Sequence, residues 1–102
     1  MAKRTIVWTK IATKQRREIL RYWTVRNGST QYAEKLIELI SIRVKVILDH
    51  PESYIQNFYY ETRFSAMGNY SILYKLTKDK IVITAFWDNR QDPDKLLEII
   101  KQ

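Results

Sequence analysis

The sequence predicts an α+β domain of two layers, a helical hairpin packed on an antiparallel sheet, in the order β-α-α-β-β-β-α. Three observations lead there. Two long segments repeat apolar residues at the helical period and are joined only by Asn27 to Ser29, which makes an antiparallel pair of helices. From Glu61 onward the pattern becomes that of strands, with tight turns at Gly68-Asn69 and Lys78-Asp79-Lys80. The chain has 102 residues with only two Gly and two Pro, which suits one domain over 1–102 and argues against a turn-dense sandwich.

Each element has its own signal. Arg4 to Thr9 is short, β-branched and aromatic, and reads as a first strand. Thr9 caps a helix from Lys10 to Arg26 that Asn27-Gly28 stops. At about 100° per residue, Ala12, Ile19, Leu20, Tyr22 and Trp23 gather on one side of it, and Trp23 is expected to be buried between hairpin and sheet. Lys10, Lys14, Arg17 and Arg21 gather on the opposite side, facing solvent.

Ser29 or Thr30 opens the second helix, which reaches Leu48 and ends at Asp49-His50-Pro51. Ala33, Leu36, Ile37, Ile40, Val44, Ile47 and Leu48 form its apolar seam, and Tyr32, Leu39 and Val46 add a second stripe on one flank. That arc is wider than one neighbour needs, so part should pack on the first helix and part on a sheet, with any remainder available to a partner. Tyr54, Ile55, Phe58, Tyr59 and Tyr60 follow without a period and read as a packed loop or helical turn.

Thr62–Met67 and Tyr70–Thr77 form a hairpin across Gly68-Asn69, where glycine supplies positive φ. Ile81–Trp87 is the most apolar strand and suits an interior position. Asp92 caps a terminal helix with Pro93 at its first position, and Leu96, Leu97 and Ile100 supply its buried side. The helical hairpin should return the chain to the end of the sheet it left, so the second strand is expected to run antiparallel to the first, with all helices on one face.

Composition excludes several chemistries. With no Cys, disulfides, thiol nucleophiles and Cys-based metal sites are ruled out, and one His leaves no basis for a His-based metal site. No metal and no cofactor are expected. No apolar run approaches the roughly 20 residues of a membrane span, and Met1 to Thr5 lack the apolar stretch of a signal peptide, so a cytoplasmic protein without membrane contact is expected.

Net charge is +7, and all of it lies in the first 26 residues, which hold eight basic side chains against Glu18. The remainder is balanced, ten against ten. Such asymmetry fits either an acidic partner, nucleic acid or protein, or a solvated face that aids solubility.

Several segments, in order, resemble the RelE/ParE toxin superfamily of bacterial type II toxin–antitoxin modules, which includes plasmid stabilisation proteins. They are Ile6-Val7-Trp8-Thr9, Ile19-Leu20-Arg21-Tyr22-Trp23, Ala33 with Leu36-Ile37, and His50-Pro51-Glu52. Further along, Arg63 with Gly68-Asn69-Tyr70-Ser71-Ile72-Leu73-Tyr74, and Phe86-Trp87-Asp88-Asn89-Arg90-Gln91-Asp92-Pro93, resemble the family's hairpin and closing segment. Asp88 stands where many members carry His, and Ser71 where Arg is common. The nuclease branch places a Tyr or His near its C-terminus, whereas Asp94–Gln102 contains neither, so the chain is closer to the ParE-like branch.

That resemblance implies a growth-inhibiting toxin that acts by binding DNA gyrase and is neutralised by a cognate antitoxin protein. Target or polyanion contacts are then expected at Lys10, Lys14, Arg17, Arg21, Arg63 and Arg90, and antitoxin contacts at Tyr32, Leu39 and Val46. The alternative is a RelE-like ribosome-dependent mRNA endoribonuclease, with Arg63 and Arg90 on the scissile phosphate and Lys75 assisting. A third reading is an inactive toxin-like domain that binds nucleic acid. Proton-transfer groups are scarce for the nuclease. His50 is the only histidine, the residue type suited to proton transfer near neutrality, and it sits at a helix end. Tyr70 and Tyr74 share one sheet face and read as packing residues.

Overall fold

The first strand, β1 (Thr5–Trp8), passes into the first helix, α1 (Lys10–Asn27), through Thr9 alone. The computed structural model describes residues 4–52, 55–56 and 61–100. Thr9 does two jobs in that single-residue link. Its N–H donates to the Ile83 carbonyl at 3.0 Å, and its Oγ1 accepts from the Ala12 N–H at 3.1 Å, capping α1. Gly28 ends the helix at φ +64°, a left-handed conformation that glycine adopts without a Cβ clash, and returns its N–H to the last carbonyls.

The second helix, α2 (Gln31–Asp49), leads to a two-residue strand, β2 (Ile55–Gln56). Then come β3 (Arg63–Met67), β4 (Tyr70–Leu76), β5 (Lys80–Asp88) and the third helix, α3 (Pro93–Ile100). The sheet order is β1-β5-β4-β3-β2. The apolar β5 is interior, as expected, and Asp92 Oδ1 accepts from the Asp94 N–H at the start of α3.

The sheet is mixed, not antiparallel throughout. β1 pairs with β5 in parallel, and β3, expected to run against β1, runs with it. The reason is the one-residue link at Thr9, which leaves no room to reverse the chain. α1 therefore starts halfway along β5 and continues past its second half. There the Phe86 N–H, beyond the end of β1, donates to Gln15 Oε1 at 2.9 Å. α2 then brings the chain back to the level where α1 began, and the hydroxyl of Tyr74, the strand partner of Ile83, donates to the Pro51 carbonyl at 2.7 Å. The reversal falls to β2, which runs antiparallel to β3 within the segment expected to be a loop or helical turn. Tyr54, Phe58, Tyr59 and Tyr60 lie outside the described residues.

A second correction concerns the faces. Leu73 pairs with Ala85 while Tyr74 pairs with Ile83, so Thr84 is an extra residue, a β-bulge in β5. Across it the inward-facing set shifts from Ile81 and Ile83 to Phe86. These residues, with Ile72 and Tyr74, form the main core with Ala12 of α1 and Leu36, Ile40 and Ile47 of α2. Leu73, Ala85 and Trp87 face the other way and pack with Leu96 of α3. The terminal helix thus covers the opposite face, because the bulge turns an apolar pair there that needs burial. Leu97 and Ile100 belong to α3, but their side chains lie outside the described set.

Two apolar expectations also change. Tyr22 and Ile37 are exposed, at 52% and 51%, and Trp23 is half-buried at the rim of the core. Among the described residues no helix is long and apolar enough to cross a membrane, and no group of three His, Cys, Asp or Glu could hold a metal ion.

Candidate functional site

Because α1 overshoots the end of β1, its second half stands beside a stretch of β5 that has no strand on that side. A cleft of about 570 Å³ opens between them. Tyr22, Trp23 and Arg26 line it from α1, Tyr70 and Phe86 from the sheet, and Asp88 and Arg90 from the end of β5. Its floor is aromatic. The Tyr70 and Phe86 rings stack with centroids 5.3 Å apart, and Trp23 meets Tyr22 and Tyr32 edge-on at 5.1 and 5.0 Å. The Trp23 indole N–H donates to the Tyr70 hydroxyl at 2.7 Å, tying the helix to the sheet.

Both cations of the cleft are engaged. Arg90 grips Asp88 through two side-chain bonds, Nε to Oδ1 at 2.9 Å and Nη2 to Oδ2 at 2.8 Å, while its backbone N–H adds a third contact to Oδ1. The hydrogen bonds from Arg90 hold the Asp88 carboxyl below the usual carboxylate range, and Asp88 in turn raises the guanidinium further. Arg26 donates to the Tyr22 hydroxyl at 3.1 Å and lies over the Trp23 ring at 5.7 Å. Asn89 closes the end of the sheet. It accepts from the Ser71 hydroxyl at 2.8 Å, and its backbone N–H reaches the Asn69 carbonyl.

Burial raises the Tyr70 pKa above its ordinary value, against the opposing pull of the Trp23 hydrogen bond. The folded state therefore holds this proton more tightly than the unfolded chain does. Its contribution to stability is complete below about pH 10, the unfolded value, and is lost as pH rises through the higher folded value. Urea melts between about pH 8 and 11 should show wild type losing stability relative to Tyr70→Phe. At neutral pH the variant should be weaker by about 0.5–1.5 kcal/mol, from the lost indole acceptor. Parallel pH curves would show that the hydroxyl is not held as described.

The residues expected to act together are not all adjacent. Arg63 pairs with Tyr74, four residues along β4 from Tyr70, whereas Arg90 lies beyond Asp88, the partner of Tyr70. That separation is on the order of 13 Å along the strands before the two residues beyond Asp88 are added. Arg63 instead donates to the Glu52 carbonyl at 3.2 Å, near the end of α2. Lys75 follows Tyr74 and so faces the α3 side, opposite Arg63. The arrangement proposed for a scissile phosphate is thus dispersed over two ends and two faces of the sheet. Tyr70 and Tyr74 are both core residues, and His50 is exposed at the end of α2.

Outside the cleft, Lys10, Lys14, Arg17 and Arg21 are exposed along the outer side of α1. Tyr32, Leu39 and Val46 are partly exposed on α2, and Ile42, not among the expected antitoxin contacts, joins them at 55%. Sequence reading missed Tyr22 and Arg26 as a pair, although their i,i+4 spacing was available. It also missed Gln15, whose role depends on where β1 stops.

Comparison with known proteins agrees with this architecture. A family model described as the ParE toxin of the type II toxin–antitoxin system, parDE, matches residues 6–93. A solved structure titled "Chromosomal ParDE TA system from P. aeruginosa" superposes with a TM-score of 0.73 at 17% identity, covering 84% of this chain and 96% of that one. At that identity the likeness carries the fold. No curated protein sequence matches the chain.

Proposed function

The chain belongs to the ParE toxin family of type II toxin–antitoxin systems, and from that membership we propose that it arrests growth by binding DNA gyrase in the cytoplasm, and that a cognate antitoxin neutralises it. Binding is favoured over catalysis by one observation above all. Arg63, Lys75 and Arg90 do not converge, so among the described residues these three offer a phosphate no shared cationic cradle with a proton donor beside it. Arg90, fixed by Asp88 at the mouth of an aromatic cleft, is the polar contact to the target, and Arg63 secures the chain at the far end of the sheet.

The antitoxin takes the exposed stripe of α2. An amphipathic segment laid over Tyr32, Leu39, Ile42 and Val46 would cover apolar surface that otherwise faces water. Growth arrest on expression, rescue by the product of an adjacent small acidic reading frame, and loss of gyrase supercoiling in vitro are the expected results. Cut mRNA from purified ribosomes with supercoiling untouched would favour the endoribonuclease instead. No growth arrest would leave an inactive toxin-like fold.

A further inference from the structure

We propose that the outer face of α1 is a binding surface for the phosphate backbone of duplex DNA, separate from the cleft and from the α2 stripe. Lys10, Lys14, Arg17 and Arg21 are all exposed and fall within about 60° of the helix circumference. Together they form a straight row about 16 Å long, which matches roughly five base-pair steps of a duplex.

The row works against the helix that carries it. Lys10 sits in the first turn, where the positive end of the helix dipole disfavours a cation, and that turn holds no acidic residue. Lys10 with Lys14, and Arg17 with Arg21, are like charges at i,i+4, which also destabilise a helix. Glu18 is the one acid nearby, and no ion pair ties it to the row among the described residues. The neighbouring helix supplies a control. α2 is one residue longer, and its exposed Glu34, Lys35, Glu38 and Lys45 alternate in sign. Solvation alone is served by that mixture and does not call for four cations in a row with a single acid beside them.

Phosphate backbone fits the row better than an acidic protein does. Protein interfaces centre on buried apolar or aromatic anchors and are poor in lysine, whereas the row itself carries no ring and the exposed Tyr22 beside Arg21 is engaged by Arg26. Without a ring there is also no platform for stacking the bases of a single strand. A regular duplex needs only cations at backbone spacing.

The test is anisotropy of a labelled mixed-sequence duplex titrated with the full-length protein, compared with the K10Q/K14Q/R17Q/R21Q variant. Four phosphate contacts give a log–log salt slope near −3.6, so wild-type affinity should fall about a hundredfold between about 50 and 200 mM salt. The variant should bind at least about tenfold more weakly at the low-salt end, with a slope close to zero. Its thermal midpoint should be unchanged or higher, because like-charge repulsion is relieved. An unchanged slope in a folded variant would overturn the proposal. So would wild type preferring a polyglutamate peptide or single-stranded RNA to the duplex. Gyrase inhibition is read in a separate assay, so either idea can fail without the other.

Discussion

Replacing Phe86 by Ala is expected to lower the unfolding free energy by about 3–5 kcal/mol. The ring is 1% exposed, stacks on Tyr70 and lies in the core shared by α1, α2 and the sheet. A domain of this size holds only about 5–15 kcal/mol in all, and each kcal/mol moves the midpoint by about 4–8 °C. The variant should therefore melt roughly 12–40 °C lower. Phe86→Leu, which keeps most of the volume, should cost less than about 1.5 kcal/mol. The comparison tests more than packing. Phe86 faces the hairpin only because Thr84 is an extra residue in β5; with unbroken alternation from Ile81 and Ile83 it would point toward α3. An alanine loss under about 1 kcal/mol in urea melts would mean that the bulge, and with it the faces of the sheet, is misplaced.

Features governed by neighbouring residues were the legible ones. The Thr9 cap, the Gly28 stop, the Gly68 turn and the Asp92 cap each depend on atoms within four residues, and each stands where the sequence puts it. The basic row on α1 was legible for the same reason, since the helical period fixes which side chains share a side. What remained hidden depends on distant partners. The parallel pairing of β1 with β5 follows from where a one-residue link releases α1 against a strand more than seventy residues away. The Thr84 bulge is visible only as a mismatch between two strands, and it alone decides which face α3 covers. The cleft escaped notice because its walls, Trp23 and Tyr70, are 47 residues apart. Their adjacency needs the correct strand direction first.

Placing two carboxylates on the α2 stripe, Leu39→Glu with Val46→Glu, is expected to weaken antitoxin binding at least about a hundredfold while leaving the fold intact. Leu39 and Val46 are 45% and 38% exposed, so neither is a core residue, and Glu is a good helix former. The cost falls on the complex. Apolar anchors there would be replaced by charges that must be desolvated, and an acidic partner would meet repulsion as well. In cells the variant should arrest growth even when the antitoxin is supplied, because the proposed gyrase contact at Arg90 lies elsewhere. Ile37→Glu is the control. Ile37 is 51% exposed but sits about 180° around α2 from Val46, so its substitution should leave neutralisation unchanged. Titration calorimetry of both variants with purified antitoxin separates the cases. If the double variant binds like wild type, the antitoxin does not lie on this flank; if Ile37→Glu is equally damaging, it wraps both.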